Sequence, residues 1–364
     1  MKKSVFVFFA VVAIVAASCD KEVTPKYSEI MTMTTAKTGS VVISLSGAGA
    51  AFIDWGNDLL SDPRELSTVP VDFSCNYSGK VSDTIKIYGN YLKHLTCSDN
   101  LLSSLNVSNN PSLMYLYCEQ NRLKVLDVSK NTMLGRLICT GNQLSTLNVS
   151  NNASLLCLYC DKNQLSGLDL SKNAMLQDLD CSSNPILSLD LSKNTALQEL
   201  ICNGNPILSL DLSKNTMLGR LICRNNQLTN LDVNKNTELA RLECDGNLLT
   251  NLDVSNNIKL YALHCSANKL TGLDLSNKNW LSFINCSYNQ LTNLNVSINT
   301  ELRYIDCRYN QLTSDALNDL FGKLHSNSIS EYTKTIYIYG NPGTSGCNPS
   351  IATVKGWKVD DNQP

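Results

Sequence analysis

From residue 91 to residue 310 the apolar positions recur at every twenty-first place along the chain, without a slip. The coil that begins at Leu92 reads Leu92, Leu95, Cys97, Asn100, then Leu102, Leu105, Val107, Asn110, two near-copies of LxxLx(C/V)xxN. Alternation across Leu95 and Cys97 predicts a short strand with one buried face, and Leu105 and Val107 predict the same on the other side of the coil. Each Asn then turns the chain, with an amide able to bond the backbone of a neighbouring coil and so satisfy groups that an apolar residue could not. Eleven cysteines hold one column without insertion or deletion: Cys97, Cys118, Cys139, Cys160, Cys181, Cys202, Cys223, Cys244, Cys265, Cys286 and Cys307. An asparagine follows each by three positions, from Asn100 to Asn310. A period of this size predicts a solenoid of about 11 coils with a parallel β-sheet, in which every coil buries its apolar edge against its neighbours alone.

A terminal coil would expose that core, so the flanks must cap it. Residues 40–90 read as short strands around Ile53-Asp54-Trp55-Gly56, ending in Thr84 to Tyr88, and resemble the small β-sandwich element that precedes such repeats, which implies an N-terminal β-sandwich-like cap. Residues 311–364 predict an α/β cap: an amphipathic helix over Ser314 to Phe321, a strand from Thr335 to Tyr339, and a closing element around Trp357. The first residues read differently. Lys2 and Lys3 precede an apolar stretch from Val5 to Val15 and the small residues Ala16-Ala17-Ser18-Cys19, the order of an export signal. The apolar stretch is shorter than the ~20 residues of a membrane span.

The repeat resembles the leucine-rich repeat superfamily, in its short 21-residue bacterial form with nested halves (the IRREKO class). With Cys in place of Leu it is similar to internalin-J-type repeats and to repeat lipoproteins of Bacteroidetes. One coil departs from the pattern, with Lys278 where the others carry their second Asn. Ala16-Ala17-Ser18-Cys19 resembles a lipoprotein cleavage region, although Ala16 stands where Leu is usual, and Asp20-Lys21-Glu22 resembles a surface-export signal. These resemblances imply a signal peptide over residues 1–18, lipidation at Cys19, and a tether over residues 19–39 followed by the cap. They also imply an outer-membrane protein facing the cell exterior.

A net charge of −2, with no basic run beyond the start of the chain, points away from nucleic acid and leaves the lipid anchor as the expected membrane contact. Fifteen cysteines in an exported protein would normally suggest disulfides. Here the column argues for stacked thiols, because in-register neighbours ~4.8 Å apart with parallel side chains suit packing better than disulfide geometry. One half-coil is nearly constant, with Asp127, Asp169, Asp190, Asp211, Asp232, Asp253 and Asp274 in one column and lysines beside it. That uniformity reads as scaffold, and no calcium-loop spacing accompanies it.

The cysteine-bearing half-coil varies. Its outward positions, three and one before each Cys, supply the candidate ligand-binding face: Tyr115, Tyr117, Arg136, Tyr159, Asp178, Asp180, Glu199, Arg220, Arg241, Glu243, Phe283 and Tyr304. Tyr and Arg combine apolar area with hydrogen bonding and are enriched at binding hot spots. A solvated sheet surface shaped by β-propensity alone is the plainer alternative. Cys157 falls in an outward column and is expected to be the exposed, reactive thiol of the array, while Cys75 and Cys347 have no assignment. The three histidines are scattered, and no HExxH, GxSxG or P-loop spacing occurs, so no enzyme, cofactor or metal site is expected. The resemblance to internalin-like repeats implies a monomeric, adhesin-like protein holding a protein or glycoprotein of host or mucus. A carbohydrate-binding component of a nutrient-uptake system and a structural surface spacer are the alternatives.

If the cysteine column is a stack of reduced thiols, titration of denatured, unreduced protein will count the eleven ladder cysteines as free. A titre showing most of them oxidised would overturn the reading.

Overall fold

A computed structural model of the chain describes residues 29–56, 60–77, 83–328 and 333–362. The proposed signal peptide and Cys19 lie outside the described residues. The repeats form a continuous stack of three-residue parallel strands, one per coil, from His94–Thr96 and Tyr115–Tyr117 to Tyr304–Asp306. Register advances by one whole coil at each step: Leu95 pairs with Leu116, Leu137 with Leu158, and Ile284 with Ile305. The sheet then runs on through Lys334–Tyr337 and Trp357–Asp360, so the stack has about 13 turns rather than 11.

The Leu or Ile and the Cys of every strand are fully buried, and most leucines and valines of the second half-coil are buried too, with Leu168 and Leu273 only partly so. The second half does not build a matching sheet. Between coils it makes single backbone bonds such as Gln143 N to Leu123 O at 2.9 Å, and only Leu102–Asn106 is a strand. Burial by itself therefore decides the inward residues, while a continuous ladder forms on one side alone.

The asparagines tie one coil to the next. Asn142 Nδ2 donates to the carbonyls of Cys118 and Cys139, each at 3.0 Å, and its Oδ1 accepts from Leu123 N at 3.0 Å. In the second column Asn152 Nδ2 donates to Val128 O at 3.0 Å and Asn131 O at 2.8 Å. Lys278 occupies this column as a 0% exposed lysine, and its Nζ reaches Ser255 O at 3.4 Å and Ser276 O at 3.2 Å. Burial lowers its pKa, with Asp274 and Asp253 opposing. A further turn in each coil places the residue two after Cys at positive φ. Glycine fills it at Gly141, Gly204 and Gly246, but Lys162, Asn225, Tyr288 and Tyr309 also adopt it.

At the start, Glu29–Thr35 pairs antiparallel with Asp83–Gly89 and with Leu102–Asn106, so residues 29–35 belong to the cap and not to a tether. Met31 and Met33 alternate inward along this strand, which is why it docks. Gly39–Ser46 pairs with His94–Thr96 and with Val71–Tyr77, extending the main sheet by two antiparallel strands. The cap thus closes both sides of the first coil, and Tyr77 packs edge-on against Trp55 with ring centroids 6.4 Å apart. At the far end the helix Ser314–Lys323 buries Leu317, Leu320 and Phe321. Thr313 Oγ1 caps its start, accepting from Ala316 N at 3.2 Å, and Lys355 Nζ caps its end by donating to Phe321 O and Leu324 O.

Lys278→Asn restores the column and is expected to raise stability by ~1–2 kcal/mol at neutral pH, read from the denaturant midpoint. Burial holds the native lysine's pKa below the ordinary lysine range, so just below that range the unfolded chain binds more protons. The gap between the two proteins should therefore shrink as pH rises toward that range. A destabilised K278N would show that the lysine bonds outweigh its burial.

Candidate binding face

Three columns point outward from the sheet, at three before, one before and one after each Cys. Of the residues expected there, Tyr115 is 41% exposed, Arg136 is exposed as well, and Tyr117, Tyr159, Asp178, Asp180, Glu199, Arg220, Arg241, Phe283 and Tyr304 are partly exposed on the same face. The sheet brings them together along its length and does not gather them into one pocket. Two expected positions behave otherwise. Cys157 is only 1% exposed, covered on its face by Arg136 and Asp178 in the flanking strands and hydrogen-bonded with Tyr159, and burial pushes its thiol up. It is not the exposed thiol of the array. All described cysteines are unpaired, and burial pushes the ladder thiols up too, Cys139 to about 12.

Glu243 is the second correction. It is 2% exposed and sits between two guanidinium groups, Arg224 at 2.6 Å and Arg241 beside it, so it cannot present itself to a partner. Arg224 Nε also lies 3.0 Å from Asp245, at an angle that makes an ion pair but no hydrogen bond. Arg220 pairs with Glu199 at 2.9 Å, and Arg308 with Asp306 at 2.7 Å. From the coil of Cys202 onward the charges are thus largely spent on one another.

The late coils carry rings. His264, Phe283 and Tyr304 stack with centroids 4.6 and 4.2 Å apart, and Tyr337 of the C-terminal cap continues the row at 5.3 Å. Burial lowers the pKa of His264 and, with Asp306 nearby, pushes the Tyr304 hydroxyl to about 12. Beside this row Tyr288 and Tyr309 stack at 4.3 Å, both at positive φ, and Tyr339 meets Tyr309 edge-on at 5.5 Å. A β-carbon on Gly340 would come within 2.5 Å of the Tyr309 ring, so a glycine is required there. Because the rings stack along the solenoid axis, they cover one another's faces and leave edges and hydroxyls toward solvent.

Sequence reasoning missed the third column, which includes Glu119, Asp161, Arg224, Asp245 and Arg308, although its outward direction follows from the period of two along a strand. It also missed Tyr337 and Tyr339, which lie off the spacing of the repeat. Among the described residues no group of three His, Cys, Asp or Glu side chains could hold a metal ion.

The chain matches no known protein-family model and no curated protein. Among solved structures it is similar to the functional domain of InlJ from Listeria monocytogenes, described as including a cysteine ladder. Identity there is 30% over 79% of this chain and 66% of that one, with a TM-score of 0.64, so the chain spans just under two thirds of that domain. It is also similar to the internalin InlF from Listeria monocytogenes str. 4b F2365, at 19% identity over 75% and 87% of the two chains, TM-score 0.62. A third is the ectodomain of the Arabidopsis thaliana membrane receptor kinase GASSHO1/SCHENGEN3, solved in complex with CASPARIAN STRIP INTEGRITY FACTOR 2, at 23% identity over 69% and 33%, TM-score 0.57.

Removing both guanidinium partners of Glu243, as Arg224→Ala with Arg241→Ala, should cost about 2–4 kcal/mol in chemical denaturation, since it strands a buried carboxylate. Arg220→Ala, whose pair is more exposed, should cost under ~1 kcal/mol. Equal losses from the two changes would mean that Glu243 is no more dependent on its partners than Glu199.

Proposed function

We propose that this leucine-rich-repeat protein is a non-catalytic binding protein that holds a protein or glycoprotein partner on the outward face of its parallel sheet. The observation that carries this reading is the contrast between the two halves of each coil. The Leu-Asp-Val-Ser half repeats almost unchanged, whereas the sheet face varies along the stack and holds exposed or partly exposed tyrosines, from Tyr115 and Tyr117 to Tyr304. A scaffold needs uniformity, and a recognition surface needs variety. Similarity to an internalin domain at 30% identity is consistent with an adhesin-like role. In this reading Cys19 carries the lipid that tethers a monomer to the outer membrane, facing the cell exterior, with no nucleic-acid partner.

Mutual stacking of the late rings weighs against the carbohydrate alternative at that end, because sugar rings stack on open aromatic faces and these faces are occupied. Tyr115, tilted 6.1 Å from His94, keeps more of its surface open and is where a glycan would find a platform.

The test is binding of the purified protein to arrays of host and mucus glycoproteins, the same proteins deglycosylated, and their free glycans. Tyr115→Ala/Tyr117→Ala and Tyr288→Ala/Tyr304→Ala variants are run alongside. The reading expects a hit that survives deglycosylation and weakens about tenfold or more in at least one double variant. Binding that follows the free glycan would favour the carbohydrate role. A face on which no substitution matters would favour a spacer.

A further inference from the structure

Carboxylates on the sheet face are neutralised unevenly. From the coil of Cys202 onward Glu199, Glu243, Asp245 and Asp306 each have an arginine partner. In the two preceding coils Asp161, Asp178 and Asp180 stand close together, and none of them forms an ion pair among the described residues. Asp161 accepts from Thr140 Oγ1 at 2.5 Å and Asp180 from Ser182 N at 3.0 Å, bonds that orient the carboxylates without cancelling their charge. The cations nearby on this face are Arg136, which hydrogen-bonds Tyr117, Lys162 on the adjoining turn, and Arg220, which is paired with Glu199, and none of them comes within ion-pair distance of the three.

Two further features lie against these carboxylates. Asp178 opens onto a groove of about 590 Å³ shared with Glu199, Arg220, Glu238 and Met217, whose side chain is 51% exposed. Tyr159 lies in register with Asp180, and among the described residues no other ring stacks on it. A lone metal ion does not suit this arrangement, because the carboxylates do not converge on one point. Side chains that pair an apolar stem with a cationic head do suit it. The stem can lie on Met217, the head can reach Asp178, and a guanidinium can rest on the Tyr159 ring.

We propose that the sheet face around Tyr159, Asp161, Asp178 and Asp180, with the Met217 groove at its margin, docks a basic, arginine- or lysine-bearing segment of the partner protein. This rests on the protein-binding reading and names the chemistry of the partner. Burial pushes the Asp180 carboxyl up, with Asp161 and Glu199 adding repulsion and the Ser182 bonds opposing. An arriving cation relieves that repulsion.

The probe is a fluorescein-labelled (Arg-Ser)4 peptide, with (Glu-Ser)4 as its control, titrated with the purified protein and followed by anisotropy at low and physiological salt. The expected result is binding of the basic peptide alone, weakened by salt and roughly tenfold weaker in Asp178→Asn/Asp180→Asn. Asp169→Asn/Asp190→Asn removes the same charge from the opposite side of the coils, where both side chains are exposed, and is expected to leave affinity unchanged. Failure of (Arg-Ser)4 to bind, binding of (Glu-Ser)4 instead, or equal weakening by the two double variants would overturn the proposal. Each of those results leaves the protein-binding reading to be decided by the arrays, whose tyrosine variants lie outside this carboxylate group.

Discussion

Everything in this molecule depends on amide bonds that reach back one coil. An asparagine such as Asn142 binds the carbonyl of the cysteine 24 residues behind it and of the cysteine three behind it, and accepts from a backbone N–H 19 residues behind. All three partners are in reach only if the coil length is held constant. A single inserted residue would break the bonds of that coil and shift the strand out of register with both neighbours. The invariance of the spacing over eleven coils is thus a geometric requirement, because the groups concerned are buried and cannot turn to water instead.

That rigid frame has allowed the outward face to vary, though not freely. Where a carboxylate is covered by neighbouring strands, as Glu243 is, nearby arginines surround it, and the charges in those coils serve the fold first. Where rings crowd together they stack along the solenoid axis, and Tyr288 and Tyr309 do so from a backbone conformation that other coils give to glycine. Holding a bulky residue at positive φ costs of order 1 kcal/mol or more, so these two turns carry strain that the scaffold does not need. The same turn is held by non-glycine residues in earlier coils too, Gln120, Lys162 and Ser183 among them, so this cost is spread along the stack.

Much of the fold could be read from the chain because the repeat states each rule eleven times. Buried cysteines, asparagine ladders and the strand preceding each Cys follow from periodicity alone. The candidate face was only half legible. Direction along a strand is local, so Tyr115 or Asp178 could be placed outward from sequence, but exposure is not local. Cys157 is hidden by Arg136 and Asp178, which lie one coil to either side, and Glu243 by Arg224 of the preceding coil and Arg241 of its own strand. Tyr337 and Tyr339 join the aromatic rows from a segment whose spacing differs from the repeat, and the strand at Glu29–Thr35 has no second copy to reveal it.

The cysteine column also sets a condition on how the chain reaches its native state. Once stacked, each ladder thiol is sealed from solvent and held in its protonated form, so it is a poor nucleophile. Before stacking, the same eleven thiols are chemically equivalent and evenly spaced, and any two of them can be joined. In an oxidising compartment the outcome becomes a contest of rates between coil docking and thiol oxidation. A solenoid is suited to win it, since a coil needs only its neighbour in place to close, and protection spreads along the stack one coil at a time.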